Sequence, residues 1–257
     1  MRKIASRLSY SGIFVLVVAL TACESMGGAG TSGSASEEVT ITPFAGASVQ
    51  LEYQGTVIHV DPGRGDYSDA LPADLILVTD TPGDHLYPAV IEELRKPGTP
   101  VVLPSTSEDA RDEGSSDRLL QVSDAIVMNN GDRMTLAGVS VEAVAMYDLL
   151  PGDPFHAQGE GNGYVLTLGD TRVYLSGVTE CVPEIQTIRD IDIAFLPLNL
   201  PHGRMEPLTA AECVKIIRPA VLYPYHYRAM PIDAFLDALS GEDDIEIRVH
   251  DWYPPGQ

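Results

Sequence analysis

The chain has few basic residues. Its 257 residues include 16 lysines and arginines against 37 aspartates and glutamates, which gives a formal net charge of −21. A surface this acidic repels nucleic-acid phosphates and anionic lipid headgroups, so we expect no nucleic-acid partner. The excess of acidic groups favours solubility, and composition alone does not identify an activity.

The apolar run near the N-terminus is also short. Ile13–Leu20 holds eight continuous apolar residues, which are too few to span a bilayer. Positive charges at Arg2, Lys3 and Arg7 precede it, and small residues leading to a cysteine follow it in Leu20–Cys23. This order is typical of a signal peptide, and its end resembles the lipobox of bacterial lipoproteins.

The lipobox resemblance implies an anchored protein. We expect a lipoprotein signal peptide at residues 1–22 and acylation of Cys23. A flexible Gly/Ser-rich tether at 23–38 would then lead into a folded domain at 39–257. Glu24 is not the aspartate associated with inner-membrane retention, so the resemblance implies the periplasmic face of the outer membrane. An ordinary signal peptide that contains a cysteine is the alternative.

Cysteine is scarce, with three in the whole chain. Once Cys23 is acylated, only Cys181 and Cys213 remain. Two cysteines are weak evidence for a disulfide even in an oxidising compartment. We interpret them as two separate buried or half-buried thiols, and a disulfide is the alternative.

Short β-rich runs that alternate with helical patterns fill the rest of the chain. Hairpin turns are predicted at Gln54-Gly55 and Gly169-Asp170. Helices are predicted over Tyr87–Lys96, Thr209–Ile217 and Pro231–Leu239, and a surface helix plus a loop over Ser105–Leu120. Thr209 and Glu212 are predicted to form a capping box. The pattern predicts an α/β fold with helices outside a β core.

One loop has the residue types of a metal site. Thr79–His85 directly follows the apolar run Leu75–Val78, which is short enough for a buried strand. Asp84 and His85 at its end, after a tight Gly turn, present a carboxylate and an imidazole. Both groups are common metal ligands, so the loop predicts metal binding.

Several segments in order resemble the metallo-β-lactamase superfamily. Gly83-Asp84-His85 matches the end of that family's His-x-His-x-Asp-His motif, and His156 and His226 lie where later histidine ligands belong. Further matches are Val60-Asp61-Pro62, Ala73–Thr79, Tyr174–Gly177 and Tyr223–Tyr227. The resemblance covers roughly residues 39 to 250 and implies an αββα sandwich.

The sequence departs from the family pattern at half of the metal ligands. Asp80 and Pro82 replace the two histidines of His-x-His, and Val178 replaces the bridging aspartate. Gly46 stands where this branch commonly has a histidine. Proline and valine have no donor atom in their side chains, so these changes remove ligands outright.

The remaining ligands would still hold one ion. The resemblance assigns Asp84, His85 and His226 to a single metal, and such a set suits Zn²⁺ first, with Fe²⁺ or Mn²⁺ as alternatives. Asp80 and His156 would lie beside the water that the metal activates, where either could act as general base.

Two functions therefore remain open. The first is a mononuclear metal-dependent hydrolase that acts on a small molecule in the cell envelope. The second is a non-catalytic envelope protein that keeps the fold and uses its edge loops to bind a ligand or a partner, with a structural metal or with none. If it holds no metal, His85 and His226 are relics, and Asp84 caps the helix that begins near Tyr87.

Overall fold

A computed structural model describes residues 38–105, 118–119, 121–149, 154–198, 205–228 and 231–253. Cys23, the predicted signal peptide and almost all of the predicted tether lie outside the described residues. So does most of the helix predicted over Ser105–Leu120. Among the described residues, no helix has the length and apolar character needed to cross a membrane.

The first of two β-sheets contains the N-terminal strands. Strands β1 to β3 are antiparallel neighbours, and β3 to β6 run parallel. The sheet order is the chain order: β1 (Thr40–Pro43), β2 (Val49–Tyr53), β3 (Thr56–Val60), β4 (Leu75–Leu77), β5 (Val101–Pro104) and β6 (Ile126–Met128).

The second sheet contains the other seven strands, again in chain order from one edge to the other. Strands β7 to β10 are antiparallel, and β10 to β13 run parallel. They are β7 (Arg133–Leu136), β8 (Val139–Met146), β9 (Gly161–Leu168), β10 (Thr171–Leu175), β11 (Ile193–Pro197), β12 (Val221–Tyr225) and β13 (Glu246–Ile247).

Three apolar clusters hold the layers together, because alternate residues of a strand face opposite sides of its sheet. The central cluster joins inward residues of both sheets, among them Leu51, Leu77 and Leu166. The outer face of the first sheet packs against helix α1 (Pro88–Leu94). The outer face of the second packs against α2 (Pro207–Ile217) and α3 (Asp233–Leu239). These four layers confirm the predicted αββα sandwich.

The structure tests the predicted turns and caps. At the hairpin between β2 and β3, Gln54 and Gly55 both have positive φ, and Gly169 does so between β9 and β10. Both hairpins are thereby confirmed.

The predicted capping box was wrong, because α2 begins earlier, at Pro207, and its N-cap Glu206 makes no side-chain capping bond. Proline is favoured at a first helical position because its missing N–H is not needed there.

Cys181 and Cys213 form a disulfide, and their Cα atoms lie 5.7 Å apart. The interpretation as two separate thiols was therefore wrong. Cys181 belongs to the loop after β10, and Cys213 lies on the buried face of α2. Packing of that helix against the second sheet brings the two residues together, and their separation of 32 residues in the sequence does not reveal it.

Candidate metal centre

Three predicted ligands converge at one edge of the sandwich. One ligand atom from each of Asp84, His85 and His226 can be chosen so that all three lie within 4.8 Å of one another. The imidazole rings of His85 and His226 are 4.9 Å apart, and Nε2 of His226 is 3.4 Å from Oδ2 of Asp84. The first two residues follow β4 and the third follows β12, so each sheet supplies part of the group.

The segment after β3 holds the Asp84 loop in place. A Cβ atom on Gly63 would lie only 2.1 Å from the carbonyl oxygen of Asp84, so this position requires glycine. The backbone N–H of Arg64 also donates to the carbonyl of Gly83 at 2.9 Å. Helix α1 makes no side-chain capping bond at its N-cap Tyr87. The Asp84 carboxylate contacts His226 and Arg228 instead of the first turn of the helix, so it belongs to the cluster.

His226 has an unusual backbone conformation. Its φ is +50°, in the left-handed region, and its N–H donates to the carbonyl of Gly46 at 3.2 Å. Gly46 itself has a φ of +63°, and a Cβ atom there would contact Cδ2 of His226 at 3.7 Å. Glycine adopts such a φ without strain. The residue that replaces the family's histidine therefore supports the loop that carries His226.

A buried carboxylate orients His85. Oδ2 of Asp61 lies 2.9 Å from Nδ1 of His85, and the carboxylate also accepts bonds from the N–H and the hydroxyl of Thr79, each at 2.6 Å. This contact engages Nδ1 and leaves Nε2 of His85 for the cluster. Carboxylates commonly fix metal-binding histidines in this way. The sequence indicated Asp61 only through the strand-end match Val60-Asp61-Pro62, which did not predict its contact with His85.

The electrostatics of the three ligands differ. Burial opposes protonation of His85, but the carboxylates of Asp61, Asp84 and Asp80 outweigh it and raise the pKa of His85 to about 9. Burial, helped by the charge of His85, lowers the pKa of His226 to about 4. Burial alone would raise the pKa of Asp84. The hydrogen bond from His226 and the charges of His85 and Arg228 outweigh it and hold the pKa of Asp84 well below the usual range.

The donor set fits a divalent metal ion. Asp84 supplies a carboxylate, and His226 supplies a neutral imidazole whose Nε2 lies 3.4 Å from that carboxylate. His85, whose pKa is raised to about 9, joins them as a ligand when a cation displaces its proton, because metal ligands must be deprotonated. Two histidines and a carboxylate are a common set for such ions.

The structure places the two predicted catalytic residues in a separate, adjoining group. Nε2 of His156 lies 3.2 Å from Oδ2 of Asp80, and its Nδ1 lies 3.2 Å from Oδ1 of Asp148. Burial disfavours the charged imidazole, but the two carboxylates outweigh it and raise the pKa of His156 to about 10. Because a protonated imidazole cannot accept a proton, this shift favours Asp80 of the two predicted general bases, and both roles stay predictions.

The positions of the lost ligands are filled. Val178 is buried, and its backbone N–H donates to Sδ of Met146 at 3.2 Å. The Met146 side chain occupies the space beside two glycines, since a Cβ atom on Gly161 or Gly177 would lie 2.0 or 2.3 Å from it. A thioether therefore stands where the resemblance places the bridging ligand of a dinuclear site.

Replacing Gly63 should disturb the centre. Gly63→Ala would force the new methyl group against the Asp84 carbonyl, and overpacking of this kind typically costs about 1–3 kcal/mol. Gly241→Ala is the matched control, because that position faces open space. We expect urea denaturation to show a lower free energy of unfolding for the first variant only. Equal stability of the two variants would contradict the close approach.

The charge of His156 should be visible by NMR. Because its pKa is raised to about 10, the ring ¹⁵N shifts should be those of an imidazolium at pH 8. Its contribution to folding stability should be complete below about pH 6.5 and lost as the pH rises through about 10. Asp148→Asn removes one partner carboxylate and should lower the midpoint. A neutral His156 ring at pH 8 in the unmodified protein would exclude the ion-paired arrangement.

Comparisons with known proteins agree with this geometry. Residues 40–226 match the family described as the beta-lactamase superfamily domain. A UPF0173 metal-dependent hydrolase of Aeropyrum pernix is 28% identical over 208 residues, which cover 75% of this chain and 84% of that protein. The corresponding protein of Thermococcus kodakarensis is 30% identical over 167 residues, covering 63% of this chain and 70% of its own.

A solved structure shows the same fold. It is a Parabacteroides distasonis protein that carries the name of a metal-dependent hydrolase, and it superimposes with a TM-score of 0.73 at 36% sequence identity. The match covers 84% of this chain and 94% of the other. The family match extends from β1 through His226 and so includes every residue of the centre. The chain belongs to the metallo-β-lactamase superfamily.

Proposed function

We propose that the protein is a metal-dependent hydrolase that acts on a small molecule with a single divalent ion. Asp84, His85 and His226 would hold that ion, with Zn²⁺ as the first choice and Fe²⁺ or Mn²⁺ as alternatives. The convergence of their ligand atoms within 4.8 Å carries the proposal. The names of the relatives support the same reaction class.

The chain's own residues have distinct tasks in this scheme. A divalent ion in such a site acts as a Lewis acid and activates water for hydrolysis. Asp61 fixes the tautomer and orientation of His85. Asp80 is the proposed general base, because its carboxylate is ionised and close enough to His85 to raise the pKa of that imidazole. His156 is then a positioning residue that orients Asp80 through their ion pair.

A non-catalytic role is the second candidate, and one observation favours it. Val178 and Met146 fill the position of the bridging ligand with apolar groups, so the protein has lost half of the family's metal centre. In this case the protein would bind a small ligand in the cell envelope without hydrolysing it.

Metal content separates the two candidates. The purified protein would be stripped with a chelator, loaded with Zn²⁺, Fe²⁺ or Mn²⁺, freed of excess metal and measured by mass spectrometry. We expect about one ion per chain, because three protein ligands and an open coordination position form a site for a single ion. Asp84→Asn and His226→Ala should abolish binding. His250→Ala is the control, since that histidine stacks on Tyr223 and does not belong to the cluster.

Each result has a definite meaning. No bound metal would overturn the hydrolase proposal and leave the binding protein. Two bound ions would overturn the mononuclear site. One ion without turnover of any ester, lactone, amide or phosphodiester in a substrate panel would support a structural metal in a non-catalytic protein.

We also propose that the protein is anchored in the cell envelope through a lipid on Cys23, facing the periplasm from the outer membrane. The order of charges, apolar run and cysteine in residues 1–23 supports this location. Cells fed with labelled palmitate should incorporate the label into the protein, and Cys23→Ser should prevent incorporation and release the protein from the membrane fraction. Equal labelling of both forms would refute acylation at Cys23.

A further inference from the structure

A small cavity opens directly beside the candidate metal centre. Its volume is about 190 Å³, and residues of the centre form one wall. Binding pockets for drug-sized ligands are typically about 300–1,000 Å³, so this cavity suits one compact chemical group. Its lining includes Gly46, Arg64, Asp84, His226, Arg228 and Tyr253.

Arg64 brings an exposed guanidinium to this cavity. Its guanidinium carbon lies 5.3 Å from the ring centre of Tyr87, and the guanidinium packs beside Gly83. Within the described ranges no carboxylate lies at ion-pair distance from Arg64. The side chain is therefore held by stacking while its donors remain available.

Arg228 reaches the cavity from the opposite loop, two residues after His226. Its Nη2 donates to Oδ2 of Asp84 at 2.9 Å, and the side chain is 48% exposed. A guanidinium has five N–H donors, and this contact uses one of its nitrogens. Arg228 can therefore hold Asp84 and a ligand together.

Tyr253 adds a neutral donor to the same wall. Its hydroxyl is buried, and its oxygen lies near the backbone N–H of Arg228, which can donate to it. Burial raises the pKa of this hydroxyl to about 12, so it keeps its proton. The O–H finds no acceptor among the described residues, so it is available to donate to a ligand in the cavity.

We propose that the substrate carries a compact oxyanion, a carboxylate or a phosphate, and that this cavity binds it. Arginine guanidinium groups pair with both kinds of oxyanion through charge-assisted hydrogen bonds. The chain has 16 basic and 37 acidic residues, so its surface as a whole repels anions. The two arginines that line this cavity provide local positive charge, which attracts them. The inference rests on the proposed hydrolase, because the cavity places the scissile part of the substrate beside Asp84 and His226.

Tryptophan fluorescence provides a direct test. Trp252 is the single tryptophan of the chain and also lines the cavity. Zinc-loaded and chelator-stripped protein would each be titrated with inorganic phosphate and with acetate, with sodium chloride at matched ionic strength as the blank. We expect a saturable change in Trp252 fluorescence with at least one of the two oxyanions. A response to phosphate alone would identify a phosphate ester as substrate, and a response to acetate alone a carboxylate.

Arginine variants assign the response to the cavity. Arg64→Gln and Arg228→Gln should each weaken binding by about tenfold or more, as expected for loss of a charge-assisted hydrogen bond. Arg133→Gln is the matched control, since this exposed arginine pairs with Glu142 on the second sheet. Arg64→Gln should also retain its zinc content, because Arg64 contacts none of the proposed ligands' side chains.

The outcomes separate this inference from the proposed function. Zinc binding without any saturable response to either oxyanion would overturn the inference and leave the metal site intact. An unchanged response in both arginine variants would also overturn it. A response that persists in chelator-stripped protein and is lost in Arg64→Gln would support the oxyanion cavity even if the protein retained no zinc.

Discussion

The centre depends on the buried carboxylate of Asp61. This residue directly follows β3 and has a positive φ, and its backbone N–H donates to the carbonyl of Leu77 on β4. Its side chain accepts three bonds, from the N–H and hydroxyl of Thr79 and from the imidazole of His85. One carboxylate therefore joins the ends of two strands and fixes the direction of the loop after β4. Because it contacts Nδ1 of His85, it leaves Nε2 of that ring to face Asp84. A buried charge is stable only with such complete pairing.

Two neighbouring groups of charges share this edge of the sandwich. In one, Asp84, His85 and His226 bring a carboxylate and two imidazoles within 4.8 Å of one another, as the ligands of an added cation would be. In the other, His156 lies between Asp80 and Asp148 and supplies its own positive charge. The second group therefore contains a cation of its own, which faces two carboxylates. The half of the family's centre that lost its ligands keeps charged side chains that pair with one another.

Much of this arrangement could be predicted from the sequence, because it resides in residues next to strand ends. Asp84, His85 and His226 each follow an apolar run, and parallel strands bring their carboxyl ends to one edge. The pairing of His156 with Asp148 could not be predicted, since it depends on how the loop after β8 folds back. The disulfide depends on how α2 packs, and the position of Arg64 depends on the close approach at Gly63. Each of these contacts joins segments that lie far apart in the sequence.

Met146 has a consequence for any attempt to restore the family's bridging aspartate. Its side chain fills the space beside Gly161 and Gly177 and accepts the N–H of Val178. An aspartate introduced at position 178 would bring a carboxylate into a buried position beside a thioether, which cannot pair with it. A single substitution there would therefore destabilise the fold, and the bridging ligand could return only together with a change at Met146.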